Sequence, residues 1–338
     1  MCPGLFRNPC GKEGAVIADF KSRLSQKMQA FLDYEKAAGY SESTYLSRLR
    51  NLDAFLVDNY PGETGLSENI VMEWAVRREK ESSATFNNRC GFIRKFGTYL
   101  TSTGDHAYIL PNKFCSSVSG FSPYIFSDDE LKGLFRSIDH LTDPDPFVPF
   151  VLSTAFRLIY TCGLRPNESR NLKRGSINLK TGEILITETK HHKERVVVMS
   201  QDMLELAGAY SFIRDAAYPD SDYFFPAPDG RPYPSSWYQK HLKKAFRKIH
   251  PDISKDELPQ VRVYDLRHRF ASAVLMRWID SGRDLYSRLP YLQSYMGHNR
   301  LSSTAYYIHL LPENLVRSAG IDWDVLETII PEVELWEE

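Results

Sequence analysis

EILITETKHHKERVVVM, Glu183 to Met199, decides the fold class. Two short β-rich runs, EILIT at Glu183 to Thr187 and RVVVM at Arg195 to Met199, flank a polar insert that carries Lys190 and Lys193. β-Branched residues suit a pleated, half-buried surface, and a polar insert between two such runs joins antiparallel neighbours. The stretch therefore predicts a hairpin with a basic tip. On either side of it the signals are helical. FVPFVLSTAFRLIYTCGL, starting at Phe147, predicts a mostly buried helix that stops at Gly163, and FSDDELKGLF sets Ser127 and Glu130 at the spacing of a capping box. Downstream, SSWYQKHLKKAFRKI and DLRHRFASAVLMRWI continue as helices. The chain is predicted to be mainly α with a small antiparallel sheet, an α+β class.

Toward the N-terminus, GYSESTYLSRLRNLDAFLVDNY places Tyr45, Leu49, Leu52, Phe55 and Leu56 at helical spacing behind a Ser41 cap. SATFNNRCGFIRKFGTYL turns Phe86, Ile93, Phe96 and Leu100 to a core. Arg89, Arg94 and Lys95 occupy its other side, either as an ordinary solvated face or as one turned to DNA. Between 101 and 122 periodicity is lost among TSTGDH, Pro111 and SSVSG. The expected organisation is an extension at 1–18, a helical domain at 19–105, a linker at 106–120, a second domain at 121–320 and an acidic tail at 321–338.

Length and composition allow two such domains, since 338 residues at 42% hydrophobic content can bury two cores. No run approaches a membrane span, and the N-terminus lacks the pattern of a secretory signal, so a cytoplasmic protein is expected. The five cysteines are scattered, without a CxxC pair or a histidine at metal-ligand spacing, so reduced thiols and no metal site are expected. The net charge of -1 conceals segregation: residues 241–300 hold 12 Lys and Arg against 6 Asp and Glu, while 321–338 hold 7 acids and no base. Local field governs encounter with a polyanion, so a near-neutral chain can still present a basic face.

Several residues have chemistry suited to a phosphodiester. Arg165 and Arg267 offer planar, permanently charged forks that fit phosphate oxygens. Lys190, with Lys193 as competitor, could protonate a leaving oxygen. His298, after Gly297, could donate to a phosphate or manage a tyrosine's proton. In YMGHNRLSSTAYYIHL two adjacent tyrosines, Tyr306 and Tyr307, point about 100° apart on a helix, so one can face a phosphate while the other packs. Helical spacing alone leaves the choice between them open. Taken singly, each of these residues has an ordinary structural explanation, such as a surface ion pair or a satisfied core histidine.

Together they carry a resemblance. TCGLRPNESRNL resembles the GLRxSE-L segment of tyrosine recombinases, the phage-type integrases. TKHHKERVVVMS resembles their GKxxKExxVPL hairpin, YDLRHRFAS their HxLRHxFAT, and YMGHNRLSSTAYYIHL their LGHxxxxTTxxYxH. Four motifs in order over 161–310 form a specific signal, and the family also has a helical core-binding, SAM-like domain before its catalytic domain. By position the resemblance implies phosphate-clamping roles for Arg165 and Arg267. It implies a hairpin lysine at Lys190, with Lys193 the less essential one, and a supporting carboxylate at Glu168. His298 falls on the Gly-His motif, and the nucleophile falls nine residues beyond it, at Tyr307, leaving Tyr306 to pack. One position departs. Tyr264 stands where the family usually has the first histidine of HxLRH, and a phenol is a poor proton acceptor at neutral pH. His268 is not its substitute by spacing and is expected to pack or orient.

The implied chemistry is cutting and rejoining of duplex DNA through a 3′-phosphotyrosyl link, which conserves bond energy and needs no nucleotide cofactor or metal. No GxxxxGK[ST] loop is present. The implied partners are double-stranded DNA bearing recombination sites and three further copies of the chain in a tetramer. An accessory DNA-bending protein is a further candidate, and no membrane is involved. A mobile-element recombinase, bacterial and nucleoid-associated, is the leading expectation. Relaxation of DNA in the manner of a type IB topoisomerase, and a catalytically silent DNA-binding protein of the same fold, are the alternatives. The tail DWDVLETIIPEVELWEE mixes apolar residues with acids and is expected to dock on another protomer or over its own basic face.

Overall fold

The computed structural model describes residues 19–114, 123–187 and 194–311, which divide into two compact units with a boundary between 120 and 121. The N-terminal extension, the tail beyond 311 and the hairpin tip with Lys190 and Lys193 lie outside the described residues. No described helix is long and apolar enough to cross a membrane.

Among its described residues the first unit holds four α-helices, α1 (Ser25–Ala37), α2 (Glu42–Asn59), α3 (Glu68–Trp74) and α4 (Ser83–Ser102), and a 3-10 turn, Asn112–Phe114. Its core draws Phe31, Leu32, Leu49, Leu52, Leu56, Ile70, Trp74, Ile93, Phe96 and Leu100 from all four. Each such fully buried side chain contributes about 1.5–3 kcal/mol of transfer free energy. Ser41 sits at the N-cap of α2 as expected, but its hydroxyl bonds to the Ser43 and Thr44 hydroxyls and caps no backbone N–H. Phe55 is half-buried and packs edge-on against Trp74.

Arg89, Arg94 and Lys95 do not form the free basic stripe that their spacing suggested. Arg89 is buried in an ion pair with Glu81 and donates to the Val76 carbonyl at 3.0 Å. Arg94 donates to the Leu110 and Pro111 carbonyls. Lys95 bonds to Glu35 and to the Tyr45 hydroxyl beneath the Tyr40 ring. All three act as struts. A buried carboxylate such as Glu35 needs a cation beside it, and α4 supplies one.

The second unit holds α5 (Asp128–Asp139), α6 (Val148–Cys162), α7 (Pro166–Arg170), β1 (Ile177–Asn178), β2 (Glu183–Ile186), β3 (Arg195–Val198), α8 (Gln201–Ala217), α9 (Ser235–Ile249), α10 (Val263–Asp280), α11 (Leu285–Met296) and α12 (Leu301–Ala305), followed by a 3-10 turn, Tyr306–Leu310. The capping box at α5 is complete: Ser127 Oγ accepts from the Glu130 N–H, and Glu130 Oε2 accepts from the Ser127 N–H. The sheet is antiparallel in the order β1-β2-β3, with Ile184 opposite Val197 and Ile186 opposite Arg195. Ile184, Ile186 and Val197 point into the core, while Leu185, Val196 and Val198 point out. Two apolar clusters fill the unit. The larger lies around α6; the smaller joins Ala271 and Leu275 of α10, Leu289 and Met296 of α11, and Tyr307 and Ile308 of the 3-10 turn.

α6 ends where the sequence stops it. Gly163 takes a left-handed conformation at φ 63°, which costs a residue with a Cβ about 1–2 kcal/mol. A Cβ there would also lie 2.6 Å from the Phe270 ring of α10. The absent side chain lets the two helices close up, and it leaves the Gly163 carbonyl facing Arg267.

Candidate active site

Four pieces of backbone meet on one side of the second unit: the turn after α6, the start of β3, the first turns of α10, and the stretch from Gly297 through the 3-10 turn. At their centre is Glu168 on α7. Its carboxylate accepts from Arg165 Nη1 at 2.9 Å and from the Arg165 backbone N–H at 2.8 Å. It takes both ends of the Arg195 fork, at 2.8 and 2.6 Å, and lies 4.0 Å from Arg267 Nη1. Burial alone would raise its pKa, but the Arg195 hydrogen bonds and the Arg195 and Arg267 charges outweigh burial and hold the carboxyl at about 2. One fixed negative charge thus organises three guanidinium groups, and positive charge remains in excess.

Arg267 is fully buried on α10. Its Nη1 donates to the Gly163 carbonyl at 2.7 Å, and its Nη2 donates to the Met296 carbonyl at 2.7 Å and to His298 Nε2 at 3.0 Å. Its Nε has no acceptor among the described residues. Arg165 is one-fifth exposed and donates from Nη2 to the Gly297 carbonyl at 2.8 Å. Because an arginine can only donate, His298 Nε2 must be an acceptor; Nδ1 then carries the proton and donates to Thr304 Oγ1 at 2.8 Å. Burial, followed by the charges of Arg267, Arg165 and Arg195, lowers the His298 pKa to about 2, so the ring is neutral.

Tyr307 lies over this cluster, its ring 6.0 Å from that of His298 and nearly parallel to it. The His268 Nδ1 lies 3.2 Å from its hydroxyl. Burial, then the charges of Arg262 and Arg267, lower the His268 pKa to about 3. Tyr264 stands one helical turn before His268, with its ring 4.9 Å from the imidazole and 5.9 Å from the Arg267 guanidinium carbon.

The structure therefore brings Arg165, Glu168, Tyr264, Arg267, His268, His298 and Tyr307 together. The expected division of the tyrosine pair needs a correction. Tyr307 is the buried one, at 2% exposure, and Tyr306 is only half-buried. The 3-10 winding from Tyr306 places the Tyr307 ring on the α10 side, where it packs and presents its hydroxyl at once. Arg195 was missed. Its signal is a charge at the inward-facing register of β3, two residues before the fully buried Val197. Thr304, which accepts from His298 Nδ1, was missed too.

A mainly helical domain with a three-stranded antiparallel sheet, carrying paired arginines, a Gly-His turn and a tyrosine on the last described turn, is the catalytic-domain fold of the tyrosine recombinases. The family model described as Phage integrase family matches residues 128–314, and the chain belongs to that family. It is 28% identical over 307 residues to the tyrosine recombinase XerC of Lactobacillus delbrueckii subsp. bulgaricus, covering 86% of this chain and 96% of XerC. Among solved structures it resembles the XerH site-specific recombinase bound to its palindromic difH substrate, with TM-score 0.61, 21% identity, and 88% and 85% of the two chains covered. It also resembles the Tn1549 transposon integrase in complex with transposon right end DNA, with TM-score 0.62, 16% identity, and 89% and 97% covered. These two likenesses are in fold.

Proposed function

We propose that the protein is a site-specific DNA recombinase that cuts and rejoins duplex DNA through a 3′-phosphotyrosyl link to Tyr307, in the integration or excision of a mobile element. The observation that carries this reading is the placement of the Tyr307 ring beside His298, which is itself bonded to the buried Arg267. The DNA-bound state of XerH and of the Tn1549 integrase supports duplex DNA as partner. Arg165 and Arg267 would take the non-bridging oxygens of the scissile phosphate, the Arg267 Nε among their donors. In-line attack puts a second negative charge on those oxygens, and preset guanidinium groups stabilise that charge without reorganising. Lys190, in the sequence between β2 and β3, is assigned the proton for the departing 5′ oxygen. Release of a 5′ hydroxyl then permits its counterpart in a partner duplex to attack the phosphotyrosine, which requires two sites and four protomers.

A suicide duplex tests this. Sequences bound from a random pool are rebuilt with a nick beside the cleavage point, so that the released fragment diffuses away. Wild-type protein and Tyr306→Phe are expected to form a denaturant-resistant adduct, and Tyr307→Phe none. An adduct that survives Tyr307→Phe and disappears with Tyr306→Phe would overturn the register. Tight binding without any adduct would favour the silent DNA-binding protein. Plasmid relaxation without exchange between two sites would favour the topoisomerase.

A further inference from the structure

We propose that His268 is the base of the cleavage step, its Nδ1 accepting the Tyr307 hydroxyl proton as that oxygen attacks the phosphorus. The inference rests on the recombinase reading and assigns within it a role that the sequence pattern leaves without an owner. The position where the family usually carries a histidine holds Tyr264, whose phenol is a poor acceptor at neutral pH. His298 cannot serve in its place. Its Nε2 lone pair is already taken by the Arg267 donor, and its Nδ1 carries the proton donated to Thr304. His268 is the histidine whose ring nitrogen meets the nucleophile, at 3.2 Å.

The surroundings hold that imidazole in place. It lies between two phenol rings, Tyr264 at 4.9 Å on its own helix and Tyr307 at 5.4 Å from the 3-10 turn. The charged and titratable groups that face it are Arg262 at the N-cap of α10, Tyr264 and Arg267 on α10, Tyr307 on the turn and His298 before α12. Burial and the two arginines keep it neutral in the free protein, which is the form a base requires. A phosphodiester seated against Arg267 offsets that positive field and strengthens the base when substrate is present. In the step, the Tyr307 oxygen bonds to phosphorus, the bond from phosphorus to the 5′ oxygen breaks, and the phenolic proton moves to His268 Nδ1. The 5′ oxygen leaves with a proton from a separate donor. On rejoining, the imidazolium returns its proton to the departing phenolate.

The test is single-turnover adduct formation by His268→Asn, whose side-chain amide keeps a hydrogen-bonding atom near the Nδ1 position but takes no proton. Adduct formation should slow on the order of 10²-fold or more while DNA affinity is held. Its rate should then climb nearly tenfold per pH unit, because the phenol must lose its proton to solvent. A substrate with bridging sulfur at the 5′ position needs no proton on its leaving group, so it should not restore the rate. Tyr264→Phe should lower the rate without steepening the pH profile. His268→Asn within threefold of wild type, a pH profile parallel to wild type, or rescue by the sulfur substrate would each overturn the proposal while leaving the recombinase reading intact. Absence of any adduct with wild-type protein would overturn both.

Discussion

Arg195 shows how much of the site's arrangement depends on a residue bonded to Glu168 and to the Tyr295 carbonyl. Its fork spans both oxygens of Glu168 while Nε holds the Tyr295 carbonyl at 2.9 Å, so β3 and α11 are tied to the carboxylate that also aligns Arg165. A lysine keeps the charge but cannot make these three bonds together. Arg195→Lys should lower unfolding free energy by roughly 1–3 kcal/mol and, on the proposed function, slow adduct formation by about tenfold or more, as expected when the Arg165 guanidinium shifts by a fraction of an ångström. Denaturant titration and single-turnover kinetics check the two effects. Motif spacing singles out Arg165, Arg267, His298 and Tyr307, which the fold brings together, because the motifs hold residue type at fixed separations. Arg195 and Thr304 hold other protein groups in place, and their side-chain partners Glu168 and His298 lie 27 and 6 residues away respectively. No local pattern announces such contacts, although a charge on the inward register of a strand is a usable hint.

At the scale of elements, the strong signals were those with a local cause. The hairpin runs, the capping box at Ser127 and the stop at Gly163 follow from alternation, side-chain to backbone bonding and a left-handed turn. The two-residue β1, the five-residue α7 and the 3-10 winding after α12 have no periodicity long enough to read; contacts with neighbouring elements fix them. Gly163 joins the two kinds of information. Its conformation is a local matter, but its contact with Phe270 lies 107 residues away in the chain. Gly163→Ala should therefore cost more than the turn alone, on the order of 2–4 kcal/mol. It should also move the carbonyl that Arg267 Nη1 uses, so adduct formation should fall even at temperatures where the variant stays folded. Thermal melting and cleavage assayed below the melting point separate the two losses. Full cleavage by a destabilised variant would show that the carbonyl is not needed to seat Arg267.

Over the whole molecule, a total charge of -1 says little, and the first unit shows why residue counts mislead. Arg89, Arg94 and Lys95 lie on the helix face that the sequence indicated, yet each serves a buried acid or a carbonyl, so their charge stabilises the unit itself. In the second unit the same principle operates in reverse: three arginines share one carboxylate, and two histidines are kept neutral beside them. That arrangement predicts an acid response. The unfolded chain binds a proton at each histidine near pH 6.5, whereas folded His268 and His298 bind theirs only near about 3 and about 2. Between these limits the unfolded state holds more protons, so stability is complete above pH 6.5 and falls as pH drops below it. Each histidine can remove up to about 1.4 kcal/mol per pH unit, or about 2 kcal/mol by pH 5. Glu168, held at about 2, adds its loss only below its ordinary value of 4.5. Urea unfolding at pH 7, 6 and 5 should therefore show the second unit weakening well above the carboxylate range. His298→Gln should flatten that dependence by about one proton while lowering stability at pH 7. An unchanged slope would mean that folded His298 is already charged, which the Arg267 Nη2 donor 3.0 Å from its Nε2 opposes.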